Sequence, residues 1–157
     1  MLIKSMSRKT ASFAQLYDYI LRHSQTQTPL VVQNMPESAT ERSGRLQAFF
    51  DNERYMKLRK GGVRAFHEVL SFHQEDAPAL TKETLRKLTE YYLQLRAPHA
   101  LAIAEAHFDT ENPHVHIMIS ANEIKSNKRV RVSKQEFEAT KPEWHQKQIT
   151  TQQTSLF

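Results

Sequence analysis

Residues 99–122 constrain the fold more than any other stretch. Two largely apolar runs flank a polar break, Asp109-Thr-Glu-Asn112, which is followed by Pro113. They read as two strands, about 99–108 and 113–122, and successive side chains of a strand point to opposite faces. A four-residue loop closes them into an antiparallel hairpin. In that register Phe108 pairs with Pro113, His107 with His114 and Glu105 with His116. Ala102, Ala104 and Ala106 then face Ile119, Ile117 and Val115, small against branched, as a packed face requires.

The opposite face carries chemistry. His107, His114 and His116 share it with Met118 and Ser120, and opposed Cβ atoms in such a pair lie about 4.5–5.5 Å apart, so three imidazoles can converge on one ion. The 157 residues include no cysteine, which removes thiolate ligands and thiol nucleophiles. A metal site must therefore use His, Asp or Glu, and a covalent nucleophile must be an oxygen. Three neutral imidazoles leave coordination positions open, the arrangement of a catalytic site. Glu105, opposite His116, is expected to accept that ring's second N–H, and Asp109 to do the same for His107. Asp109 is also a candidate catalytic carboxylate. Isolated histidines such as His23, His99 and His145 read as structural.

Elsewhere strands and helices alternate. Leu2 to Met6 suits a strand; Ser12 can cap a helix to about His23, with Phe13, Leu16, Tyr17, Ile20 and Leu21 on one face and Tyr19 off it. A short strand over 30–34, a long polar helix from Glu37 to about Lys60 ended by Gly61-Gly62, and a strand over 64–73 follow. Along that strand Phe66, Glu68, Leu70 and Phe72 take one face, and His67, Val69, Ser71 and His73 the other. Thr81 opens a helix with a Leu85, Leu88, Tyr92, Leu95 stripe. A short strand over 129–132 and a helix from Ser133 come last. The expected class is α+β, an antiparallel sheet carrying the histidine hairpin with helices packed on one side. Residues 1–140 are expected to form one domain, with a frayed Gln/Thr-rich tail over 141–157.

Lys and Arg number 22 against 17 Asp and Glu, a formal charge of +5 that favours a polyanionic partner. Residues 54–64 hold five basic and no acidic residues, as do residues 125–134. Lys57, Arg59, Lys60 and Arg64 in the first, and Lys128, Arg129 and Arg131 in the second, are candidate phosphate contacts. No apolar run approaches the length of a membrane span, and the N-terminus lacks a signal peptide's apolar stretch, so the expectation is a cytoplasmic protein without membrane insertion.

The segment from His107 to His116 resembles the histidine motif of the HUH endonucleases, specifically relaxases of the MobA/VirD type, which mobilise plasmids and related elements. Ile3-Lys4 and Ser12-Phe-Ala-Gln-Leu-Tyr-Asp-Tyr-Ile20 resemble the family's first motif, and His67-Glu-Val-Leu-Ser-Phe72 its second. The resemblance spans about residues 1–140 and implies an HUH sandwich fold. It also implies a site- and strand-specific nickase acting on single-stranded DNA at an origin of transfer. The implied nucleophile is Tyr19, forming a 5′-phosphotyrosyl intermediate, with Ser71 near the scissile phosphate. The absence of tyrosine after Tyr92 agrees, since relaxases place the nucleophile near the N-terminus. The implied cofactor is Mg²⁺ or Mn²⁺, whereas histidine-only ligation by itself suits zinc or another transition metal better. Implied partners are origin DNA, accessory mobilisation proteins and a type IV coupling protein. The alternatives are a degenerate module that binds origin DNA without cutting it and a metal-dependent phosphodiesterase that activates water.

Overall fold

The computed structural model describes residues 1–10, 12–57 and 60–131. Five strands, β1 (Leu2–Arg8), β2 (Val31–Gln33), β3 (Ala65–Ser71), β4 (Ala100–His107) and β5 (His114–Glu123), form one sheet in the order β1-β3-β5-β4-β2. All four neighbouring pairs are antiparallel. The expected hairpin register holds at the turn, where His107 faces His114, Glu105 faces His116 and Ala106 faces Val115. A bulge between Ala100 and Ala102 shifts the far end.

Among the described residues three α-helices, α1 (Phe13–Ile20), α2 (Arg42–Glu53) and α3 (Lys82–Arg96), cover the sheet. The α+β class holds, but the helices do not all lie on one side. Leu85, Leu88, Tyr92 and Leu93 of α3 pack on Leu70, Ala102, Ala104, Val115, Ile117 and Ile119. Phe13, Leu16, Tyr17 and Ile20 of α1, with Leu46 and Phe49 of α2, pack on Leu101, Ile103, Ala65 and Met118. The cause lies in β4 and β5, which are apolar on both faces over much of their length, so both need a cover. Each fully buried leucine in these layers contributes about 2 kcal/mol.

The second helix is shorter than expected. It ends at Glu53 because Asn52 docks sideways: its carbonyl accepts from Asn122 Nδ2 at 2.9 Å and its Oδ1 accepts from the Lys125 N–H at 2.7 Å. Before it, residues 37–38 form a turn closed by the Ala39 N–H bonded to the Pro36 carbonyl, and the helix begins only at Arg42. Thr81 caps α3 as read, accepting from the Thr84 N–H at 3.1 Å. Arg129 makes a single bridge with Asn122 where a short strand was expected. The expected helix from Ser133 and the 141–157 tail lie outside the described residues. Among the described residues, no helix is long and apolar enough to cross a membrane.

α1 and α2 pack on one end of their face, and at the other end the inner residues are buried while those of β1, Leu2 and Lys4, are exposed. That other end carries Glu105, His107, His114 and His116 from the hairpin, His67, Val69 and Ser71 from β3, and Leu2, Lys4, Met6 and Arg8 from β1. The pairs Leu2 with Ser71, Lys4 with Val69, Met6 with His67, and Val69 with His116 place these residues on one face.

Candidate active site

Of the carboxylates and imidazoles described, His107, His114 and His116 form the one group that could hold a metal ion, each offering one ligand atom within 4.8 Å of the others. Hydrogen bonds settle which nitrogen each ring leaves free. His107 Nε2 donates to the Ile20 carbonyl at 2.6 Å, leaving Nδ1, which is buried and has no hydrogen-bond partner among the described residues. His114 Nδ1 donates to the Asn112 carbonyl at 3.0 Å, leaving Nε2. His116 Nδ1 meets His67 Nε2 at 2.8 Å, again leaving Nε2. A carbonyl oxygen can only accept, so the first two tautomers follow directly. Three rings with one nitrogen tied and one free, the tied one orienting the ring, suit a divalent cation.

The electrostatics agree. Burial, followed by the neighbouring imidazoles and Arg22, brings the His116 pKa down to about 3. Burial, followed by Arg8 and Arg22, brings His67 down to about 4. Burial also lowers His107. His116 and His67 are therefore neutral at pH 7, the state a ligating or hydrogen-bond-accepting imidazole needs.

Tyr19 stands over this cluster from the last turn of α1. Its ring makes edge contacts with His116 at 5.4 Å and His67 at 5.8 Å between centroids. It is 43% exposed, and the Arg22 guanidinium lies 4.0 Å from its ring centre. Tyr17, two residues earlier, is 1% exposed, with its hydroxyl bonded to Arg45 Nη1 at 3.1 Å. The 3.6-residue period turns one tyrosine into the core and the other toward the histidines. A groove of about 440 Å³ runs from Tyr19, His67 and His116 past Ser71 and Val69 to Lys4, Met6 and Arg8.

Other expected residues are placed differently. Glu105 lies opposite His116, but its carboxylate accepts from the Ala106 N–H at 2.9 Å, and the place expected for it at His116 Nδ1 is taken by His67. Asp109 does not accept from His107, whose Nε2 is bonded to Ile20; its carboxylate lies 3.4 Å from His23 Nε2, 3.8 Å from His114 Nε2 and 3.9 Å from Arg22 Nη2. The physical reason is reach. The loop swings Asp109 outward over the hairpin, while α1 ends with its free Ile20 carbonyl against His107. Thus His23 belongs to this cluster, with its ring 5.3 Å from that of His107.

The basic segments gather elsewhere. Lys57, Arg129 and Arg131 line a cavity of about 580 Å³ with Lys9 and Phe66. Phe66 and Val130 in its wall belong to the α3 side of the sheet, so this cavity and the histidines are on opposite faces. Arg64 pairs with Glu53 at 3.5 Å and Lys128 with Glu123 at 3.7 Å, while Lys60 is exposed. Arg59 lies outside the described residues. The sequence reading missed His67, Arg22, Lys4 and Arg8 as parts of the histidine face. The alternation of Leu2, Lys4, Met6 and Arg8 was a visible signal, but the pairing that carries it beside the hairpin is long-range.

Comparison with known proteins places this geometry in context. A family model described as the nuclease domain of MobA/VirD2-like relaxases matches residues 19–151. Among solved structures, the fold is similar to that of the MobM relaxase domain (MOBV; Mob_Pre) bound to a 26-nucleotide pMV158 oriT DNA. The TM-score is 0.62 at 12% identity, covering 95% of this chain and 85% of that one. A search of curated proteins returned no match.

Proposed function

Since the chain belongs to the MobA/VirD2-like relaxases through their nuclease domain, we propose that it nicks one strand of DNA at an origin of transfer by tyrosine transesterification, in the mobilisation of a plasmid or related element. The observation that carries the reading is the contact of the accessible Tyr19 ring with His116, one of three imidazoles whose free nitrogens converge. Tyr19 Oη attacks the scissile phosphorus, forming a phosphotyrosyl bond at the 5′ end as the bond to the 3′ oxygen breaks. The phenol's proton leaves with base, and the 3′ oxygen departs as a hydroxyl. Reversal by that hydroxyl rejoins the strand.

The cation would be held by His107 Nδ1, His114 Nε2 and His116 Nε2. A divalent ion such as Mg²⁺ or Mn²⁺ there supplies charge neutralisation to a phosphoryl oxygen. The protein's own groups do the rest. Arg22 lies across the Tyr19 ring and donates to the Tyr19 carbonyl at 3.0 Å, fixing the end of α1 from which the tyrosine projects. Asp109 contacts His23, His114 and Arg22, so its role in this reading is to orient those groups. Lys4 and Arg8 provide phosphate contacts along the groove that contains Ser71, and Leu2 and Met6 between them offer apolar surface to bases. Lys57, Arg129 and Arg131 serve DNA flanking the cut, from the opposite face of the sheet.

The test uses single-stranded oligonucleotides from the replicon that carries the gene, incubated with the full chain and Mn²⁺. The expected result is a denaturation-resistant protein–DNA adduct that EDTA and Tyr19→Phe abolish. Cleavage at full rate by Tyr19→Phe would transfer the assignment to a water-activating phosphodiesterase. Binding without any adduct on the cognate strand would leave a non-cutting DNA-binding module.

A further inference from the structure

We propose that His67 is a positioning residue of this site: it accepts the Nδ1–H of His116 and so fixes that ring in the tautomer whose Nε2 can take the cation, while supporting the ring of Tyr19. The inference rests on the reading of the histidine triad as a cation site. His67 is 4% exposed, comes from β3 rather than from the hairpin, and is outside the group whose ligand atoms converge. Its only hydrogen bond among the described residues is that to His116, at 2.8 Å, and its own Nδ1 is buried with no partner.

The donor and acceptor inventory makes the direction of this bond decisive. Each neutral imidazole carries one proton. If His67 Nε2–H donated, His116 would carry its proton on Nε2 and could not ligate there. If His67 accepts, His116 carries the proton on Nδ1 and Nε2 is bare. A bound cation therefore requires His67 as the acceptor, with the His67 proton on the buried Nδ1. The other two rings have backbone carbonyls in this role, from Ile20 and Asn112. His116 lacks one, and the carboxylate opposite it, Glu105, is bonded to the Ala106 N–H. A neutral imidazole also adds no negative charge beside an anionic phosphate, which a buried carboxylate would. The edge contacts of Tyr19 with both rings make His67 and His116 a single platform for the tyrosine.

The test measures Mn²⁺ affinity by electron paramagnetic resonance, without DNA, for the full chain and two variants. His67→Gln keeps an acceptor oxygen near the Nε2 position and is expected to bind within about threefold of the parent. His67→Phe keeps a ring for Tyr19 but has no acceptor, and a weakening of about 10–100-fold is expected. Equal affinity for the parent and the phenylalanine variant would overturn the proposal. A parent chain that binds no Mn²⁺ or Zn²⁺ would instead overturn the cation reading on which it rests, and this proposal with it. A second measurement needs no variant: nitrogen-15 spectra of the Zn²⁺-loaded chain should show coupling through the hydrogen bond between His116 Nδ1, bearing the proton, and His67 Nε2. A His116 Nδ1–H without that coupling would also overturn it.

Discussion

His67 and Glu68 are neighbours in one strand, both buried, and face opposite sides of the sheet. On the Glu68 side the carboxylate is saturated. It accepts from Ser5 Oγ at 2.9 Å, Tyr92 Oη at 2.6 Å and Arg96 Nε at 2.9 Å, and Arg96 also lies over the Phe66 ring. Burial, reinforced by Glu68, holds the Tyr92 phenol protonated as a donor. On the His67 side two buried ring nitrogens, His67 Nδ1 and His107 Nδ1, have no partner among the described residues, and an exposed tyrosine stands beside them. Buried polar groups are normally satisfied. On the Glu68 side Arg96 Nη1 also lacks a partner among the described residues, but its guanidinium is already paired with the carboxylate, whereas the unpartnered atoms on the His67 side are imidazole nitrogens beside an exposed tyrosine; the first side reads as architecture and the second as a place built for a ligand.

That contrast can be broken or sharpened by substitution. The largest effect is expected for Tyr19→Phe, which should lower adduct formation by about 1000-fold or more, about 4 kcal/mol of barrier, with the thermal midpoint unchanged. Parallel gel and calorimetric measurements check both halves. Next, Arg96→Met on the Glu68 side should destabilise by about 3–5 kcal/mol in urea titration, because it leaves the Glu68 charge buried without its cation. The remaining folded fraction should retain Mn²⁺ binding.

Smaller is the effect of the ion itself. Mn²⁺ at a hundred times its dissociation constant should raise unfolding stability by about 2.7 kcal/mol, a gain that EDTA or His114→Ala removes. Such a gain persisting in His114→Ala would separate the ion from this face. The smallest effect is expected from Tyr17→Phe, which loses one hydrogen bond to Arg45, about 1 kcal/mol, and leaves nicking intact. Loss of nicking there without loss of stability would reverse the assignment of the two tyrosines.

What the sequence made legible was local. The hairpin register follows from alternation and a four-residue loop, and Tyr17 separates from Tyr19 by helical period. The hidden parts depend on distant pairing. His67 meets His116 across 49 residues, and the cations of β1 reach the histidine face only through pairing with β3. The length of α2 was also hidden, since a long-range contact sets its end, where Asn52 meets the turn at residues 122–125. Nor does a carboxylate's register fix its partner: Glu105 lies where expected, yet its side chain bonds to the adjacent backbone.

The most direct test identifies the atom that becomes attached to DNA. The full chain is reacted with its origin strand and Mn²⁺, denatured, digested with trypsin and nuclease, and mapped by fragmentation mass spectrometry. The account expects a 5′-phosphonucleotide on Tyr19 in the peptide of residues 10–22, with Tyr17 unmodified. A nucleotide attached to any other residue, or a cut strand with no attached peptide, would contradict it.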